Sequence, residues 1–294
     1  MLLIDAKTRD AHVNKAVRQL RLENSKYDVL VHELKKEGDA ERLVRTALDA
    51  ATFNPAGKAI HTFVAVGGDH TASAVVNALV SCGAPPECCM GLVPRGHGPH
   101  DIAASLDIPM NVSEALRIAV DGRSVPLDVG IINQNKVFMN LASTGLAARL
   151  DHSRAETAAT GAHAQCLVSI MHPDRDAEGR GSAPGYRECH GCLSFLSVGS
   201  SSIFQGSQPN DGLLDVMYAM DLSEEKLAAL ATGLVTGKGV ESLQTDMHRA
   251  KVPWLELHAP GGIQMRVDGE EVEEEDLRFE ILPARIMCQL LDAT

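Results

Sequence analysis

"VAVGGDHTASAVVNAL", residues 64–79, runs a short apolar strand into Gly67, Gly68 and Asp69 and then opens a helical pattern. Paired glycines let a chain turn tightly and bring backbone amides against a ligand with no Cβ in the way. The helix that follows aims its N-terminus at the same spot, where the positive end of its dipole suits a phosphate. One reading is therefore a polyphosphate site with Asp69 placed to hold a magnesium ion. The other is a strand-turn-helix connection in which the glycines serve geometry alone. The local sequence does not separate the two.

Working outward, the first half alternates short apolar strands ("LLI", "YDVLVHEL", "TFVAV", "MGLVP") with helical patterns ("HVNKAVRQLRLEN", "DAERLVRTALDAAT", "TASAVVNALVS"). That rhythm predicts a parallel sheet in an α/β domain. Asp39, following Gly38, reads as a helix N-cap, with Leu43, Val44 and Ala47 on one face. A second glycine turn, "GLVPRGHGPHDIAASLDIP" (Gly91–Pro109), also follows a strand and leads into a helix, so two such turns can close on one ligand. From about Val125 the pattern changes to strand-like pieces bounded by Gly, Pro, Asn or acidic turns: "LDVGIINQNKVFMNLAS", "CHGCLSFLSVGS", "LLDVMYAM", "WLELHA", "IQMRVDGEEV" and "LRFEIL". The expectation is an α/β domain with a parallel sheet over 1–124, then an antiparallel β-sandwich over 125–294, with a return of the last residues to the first domain left open. One helix is expected from Ser223, and 152–185, the least patterned stretch, reads as a mobile loop.

A chain of 294 residues exceeds one ordinary core and fits two domains. With 45% hydrophobic and 22% charged residues it has the composition of a folded globular protein. Its net charge of -12 argues against nucleic acid and against polybasic docking to anionic lipid, since both need clustered Lys and Arg. No apolar run reaches the ~18 residues of a membrane span, and Asp5 interrupts the N-terminal apolar stretch, so a cytoplasmic protein is expected. The seven cysteines are irregularly spaced, which suits reduced thiols. "CHGC" (Cys189–Cys192) lacks the second ligand pair that a zinc site usually needs, and packing or surface thiols is the expectation.

At the second glycine turn the chain resembles the lipid kinases related to diacylglycerol kinase, and within them the YegS-like bacterial lipid kinases. The residues that carry this are "GGDHT" (Gly67–Thr71), "VPRGHGPHDIAASLDIP", "PLDVGIIN" with Asp128, "NDGLLDV" (Asn210–Val216) and "RVDGEEV" (Arg266–Val272), with "FEILPARIMCQL" as the closing strand. They stand in family order along nearly the whole chain; 152–185 is not covered. NAD kinases and phosphofructokinases share a similar glycine turn but lack the late "DGLL" and "DGE" pair. The resemblance implies an ATP- and Mg2+-dependent kinase acting on a diacylglycerol, phosphatidylglycerol or sphingoid lipid at a membrane surface, with nucleotide and lipid meeting between the two domains. A homodimer is left open.

By the same resemblance Glu270 is the base that takes the hydroxyl proton, with Asp69 and Asp128 beside it in catalysis. Lys7, Gly67, Gly68, Asp69, His70, Thr71, Gly96 and His97 would bind nucleotide, and Gln208, Asp211 and Leu213 would hold a magnesium, the first and last through main-chain oxygens. Read without the family, Glu270 only opens an acidic run that suits a solvated hairpin, and Asp211 suits an Asx turn. Crowded carboxylates in that run would push a base's pKa upward.

Departures from the family pattern gather in the nucleotide half. His70 replaces a glycine, and at positive φ it would strain the turn by about 1 kcal/mol. Ala72–Ala74 stands where polar residues are usual, His97 replaces a threonine, Pro99 and His100 lengthen the second turn, and Leu34 stands for another threonine. Arg95, His97 and His100 are either new cationic donors to phosphate or ordinary loop residues, and the latter is expected. The alternative to a working kinase is thus a pseudokinase of the same fold that binds lipid or nucleotide.

Overall fold

The structure is a computed structural model that describes residues 1–23, 28–53, 62–96, 100–144, 167–172, 185–190, 193–198, 207–219 and 247–291. The chain divides into two compact units, Met1–Val129 with Ala284–Thr294, and Gly130–Pro283.

The first unit is built on β1 (Leu2–Asp5), α1 (Ala11–Glu23), β2 (Val31–Leu34), α2 (Asp39–Phe53), β3 (Thr62–Gly67), α3 (Asp69–Ser81), β4 (Cys89–Pro94), α4 (Asp101–Ser105) and α5 (Val112–Asp121). Its strands pair in parallel in the order β2-β1-β3-β4, and the end of β14 (Glu270–Leu290) adds to β4 through Met287 and Cys288. Strands covered on both faces must be apolar throughout. Leu2, Leu3 and Ile4 in β1, Phe63 to Val66 in β3, and Met90, Leu92 and Val93 in β4 are all buried. Helix α1 packs with α5, and α2 with α3. Val13, Val17 and Leu20 recur on the buried face of α1, as Val44 and Ala47 do on α2.

One local expectation is corrected in this unit, and one helix carries no earlier expectation. Asp39 does not cap the amides of its own helix; its carboxylate reaches back to accept from the Lys35 and Lys36 amides at 3.0 and 3.2 Å. Helix α5 was not singled out in the sequence, yet Asn111 caps it by accepting from the Ser113 and Glu114 amides.

The second unit is antiparallel. It comprises the end of β5 (Arg123–Ile132), β6 (Lys136–Phe138), β7 (Leu141–Thr144), β8 (Leu167–His172), β9 (Gly185–His190), β10 (Leu193–Ser197), β11 (Leu214–Ala219), β12 (Met247–Val252), β13 (Trp254–Val267) and most of β14. The main order is β12-β11-β10-β7-β13-β14; β8 joins β13 and β9, and β6 joins β5. Phe138 and Phe279 meet edge to face, with centroids 6.1 Å apart, in a core with Leu196, Leu214, Val216, Leu257 and Val267. Along β14, buried Leu277 and Phe279 alternate with Arg278 and Glu280, the period of a half-buried strand.

The α/β class followed by antiparallel strands is the one observed. The stretch 152–185, expected as loop, contains strand β8, and β9 starts at its end. Strand β8 has partners on both sides, β13 and β9, and such long-range pairing leaves no short-period signature. The helix expected from Ser223, and the rest of 152–185, lie outside the described residues, as does Cys192 of the "CHGC" pair.

Candidate functional site

In a parallel sheet ordered β2-β1-β3-β4 the winding reverses between β1 and β3, and such a reversal opens a crevice at the carboxyl ends of those strands. The turn after β1 carries Lys7 and Thr8, and the turn after β3 carries Gly67, Gly68 and Asp69. Thr8 Oγ1 lies 3.5 Å from the Val66 carbonyl, joining the two turns. The turn after β4 comes to the same end: the Arg95 amide donates to the Gly67 carbonyl at 2.9 Å, and a Cβ on Gly96 would meet Thr8 Cγ2 at 2.9 Å. Lys7, Gly67 to Thr71, and Gly96 are thus brought together. His97 lies outside the described residues, with Pro99.

Gly67 is required by space. A Cβ there would stand 2.2 Å from Thr71 Oγ1, so the first turn of α3 closes directly over the strand end. Gly68 is the N-cap of α3 with extended backbone, and no side chain caps that terminus. His70 sits in the first turn of α3 and has no positive φ, so the strain expected of it does not arise. The helix starts one residue earlier than a left-handed turn would need, and any residue tolerates that backbone.

Asp69 is buried, and both its oxygens accept backbone amides from the start of α4: Asp101 N at 2.8 Å and Ile102 N at 3.1 Å. The carboxylate therefore fastens the first glycine turn to the second. Burial pushes its pKa up to about 6, opposed by those two amide bonds, while the Asp101 carboxylate adds to the rise. A small recess beneath it is lined by Ala65, Gly67, Gly68, Ala72, Pro94 and His100. Arg95 forms an ion pair with Asp10, which lowers the Asp10 pKa, and His100 faces the Gly96 carbonyl at 3.3 Å. Arg95 is thereby tied to the start of α1, while His100 stays within its own loop.

Asp128, near the end of the first unit, is also buried; its Oδ1 accepts the amide of Ala284 at 2.7 Å. Ala284 has φ 49, and a non-glycine residue held there needs a compensating bond.

In the second unit, Asp268 and Gly269 have φ 46 and 85 and form the two-residue turn between β13 and β14. Glu270 is the first residue beyond it. The buried Asp268 carboxylate accepts three consecutive amides, Met139 at 2.7 Å, Asn140 at 3.1 Å and Leu141 at 2.9 Å, tying this hairpin to the segment between β6 and β7. Lys136 of β6 forms an ion pair with Glu270 Oε2. One neighbour bonded to Glu270 is thus an ammonium, a partner the sequence did not point to. The rest of the acidic run lies along β14, with Glu271 opposite Arg266 and Glu273 opposite Gln264.

The turn before β11 brings Asp211 and Leu213 together in an Asx turn, with Leu213 N donating to Asp211 Oδ1 at 3.1 Å. Asp211 Oδ2 faces Lys251 Nζ at 2.6 Å, and the same ammonium stands 3.4 Å from Asp215 Oδ1. Ser207 Oγ donates to Asp215 Oδ2 at 2.6 Å. Every carboxylate oxygen is engaged, and a positive charge already sits between the two acids. A divalent ion bound here through Asp211 and the main chain of Gln208 and Leu213 would have that ammonium as its neighbour. The set does not fit magnesium. Among the described residues no group of three or more His, Cys, Asp or Glu side chains is arranged to hold a metal.

Lys136, Lys251 and Thr8 carry no motif signal in the sequence, and each gains its partner through strand pairing or strand order; Asp268 stands in the "DGE" motif, but its grip on residues 139–141 is visible only in the fold.

Comparison with known proteins places the chain in a family. Residues 1–132 match the diacylglycerol kinase catalytic domain. The protein named "Probable lipid kinase YegS-like" of Yersinia enterocolitica is 32% identical, over 95% of this chain and 92% of its own length. Its namesake in Pectobacterium atrosepticum is 30% identical, over 99% of this chain and 95% of its own. Among solved structures, a diacylglycerol kinase from Bacillus anthracis superposes with a TM-score of 0.73 at 17% identity, over 99% of this chain and 96% of its own, a likeness of fold.

Proposed function

The chain belongs to the YegS-like lipid kinases, and from that premise we propose that it transfers the γ-phosphate of ATP to the hydroxyl of a diacylglycerol, phosphatidylglycerol or sphingoid lipid. The observation that carries this reading is the convergence of three turns at the crevice between β1 and β3. Phosphoryl transfer asks a protein mainly to position groups and neutralise charge.

The uncapped start of α3, with Gly67, Gly68 and Thr71, suits the oxygens of a triphosphate delivered as Mg-ATP. Lys7, exposed on the neighbouring turn, adds a mobile positive charge, and Gly96, His70 and His97 complete the proposed nucleotide contacts. Asp69 holds the two glycine turns in register through its amide bonds. Glu270 receives the proton of the lipid hydroxyl, and Asp268 and Lys136 set its position. Asp128 is proposed to support the reaction by holding Ala284.

No helix among the described residues is long and apolar enough to cross a membrane. Because the family consists of lipid kinases, the substrate is proposed to be met at a membrane surface from the cytoplasmic side.

The test is radiolabelled ATP with a panel of lipids, run beside titration calorimetry with Mg-ATP. Glu270→Gln is expected to abolish lipid phosphorylation and to keep Mg-ATP binding. Undiminished turnover in that variant removes Glu270 as the base, and absence of Mg-ATP binding by the native chain removes the kinase.

A further inference from the structure

A lysine lies where the family resemblance would set a magnesium ion. Strands β11 and β12 pair so that Asp215 stands directly opposite Lys251. From there the Lys251 side chain spans both acids, 2.6 Å from Asp211 Oδ2 and 3.4 Å from Asp215 Oδ1. The acids are largely shielded, with side-chain exposures of 20% and 10%, so their negative charges need a partner nearby. Partial burial works against the ammonium, but its bonds to Asp211 and Asp215 outweigh this and raise its pKa.

The geometry points to Lys251 as a built-in counter-ion that closes the Asp211–Asp215 turn, so that this turn is ordered without any divalent cation. A second positive charge placed against Asp211 would be repelled by the ammonium at close range and would have to break the lysine bond to enter. Removing the ammonium leaves two close carboxylates and the adjoining main-chain oxygens, a set of hard oxygen donors that a divalent cation can use. The inference stands apart from the identity of the reaction, because it concerns the stability of a turn.

Thermal melting of the full chain without nucleotide tests it, in chelator and in millimolar magnesium chloride, with potassium chloride at matched ionic strength as control. The native chain is expected to melt at the same temperature in all three. Lys251→Met is expected to melt about 2 °C or more lower in chelator and to recover in magnesium but not in potassium. Lys251→Arg restores the charge and should behave as the native chain, and adding Asp211→Asn to Lys251→Met should abolish the magnesium recovery. A native chain whose midpoint falls in chelator overturns the inference, as does a Lys251→Met chain that melts like the native one in every buffer. If Lys251→Met does not fold, the chelator arm on the native chain and on Lys251→Arg still decides.

Discussion

Asp69 carries two duties that pull its proton in opposite directions. Two backbone amides favour the carboxylate, while burial favours the acid, and burial prevails with a pKa of about 6. Unfolded, the same group titrates near 3.8. Between these values the folded chain holds the proton more tightly, so this contribution is fully present below about pH 4 and is lost as pH rises through 6. Replacing the group by a neutral amide removes that dependence. Stability of Asp69→Asn relative to the native chain should therefore improve on going from pH 4 to pH 7, by up to about 3 kcal/mol. Urea unfolding at the two pH values measures it, and parallel behaviour would show that the carboxyl is not perturbed. Gly67 is governed by space: Gly67→Ala should cost about 1–3 kcal/mol, because its methyl meets Thr71 Oγ1 at 2.2 Å and Thr71 Cβ at 2.8 Å. Adding Thr71→Ala should relieve only part of that cost, since a Cβ remains.

At the scale of elements, the β13–β14 hairpin shows how a strained turn is held. Asp268 accepts three amides from the segment between β6 and β7 while its own backbone occupies the left-handed region. Asp268→Ala leaves those amides without their acceptor and should lower stability by about 3 kcal/mol, read from chemical denaturation. Asp268→Asn tolerates the backbone but offers a single accepting oxygen, and should fall between the two. The Asp128–Ala284 bond separates scaffold from charge. Asp128→Asn can still accept the Ala284 amide and should unfold like the native chain, whereas Asp128→Ala should lose about 1–2 kcal/mol. If the carboxylate charge also serves catalysis, the Asn variant keeps its stability and loses turnover.

The whole molecule is threaded so that its end completes its beginning: residues from Ala284 belong with Met1–Val129, and Met287 and Cys288 extend the parallel sheet beside β4. Cys288 is fully buried, and burial pushes its thiol up to about 12, so it is inert while that strand is in place. Alkylation mapped by mass spectrometry should label Cys82 in the native chain, label Cys88 more slowly because partial burial raises its thiol as well, and spare Cys288. Label at Cys288 should appear in urea with the unfolding of the first unit. Early labelling would mean that the closing strand detaches by itself.

What the sequence determined by itself was local. Strand-helix alternation, the Gly67–Asp69 turn and the late Asp-Gly turn follow from periodicity and from the few residues that tolerate tight backbone, and each such signal is written within about ten residues of chain. Strand order was decided only in three dimensions, and with it the meeting of the Lys7 turn with Gly67. So were the placing of Lys136 on Glu270, the grip of Asp268 on residues 139–141, and Lys251 standing between two acids. Pairings across such separations in the chain are set by the summed burial and register of whole strands, and no single residue near either partner records them.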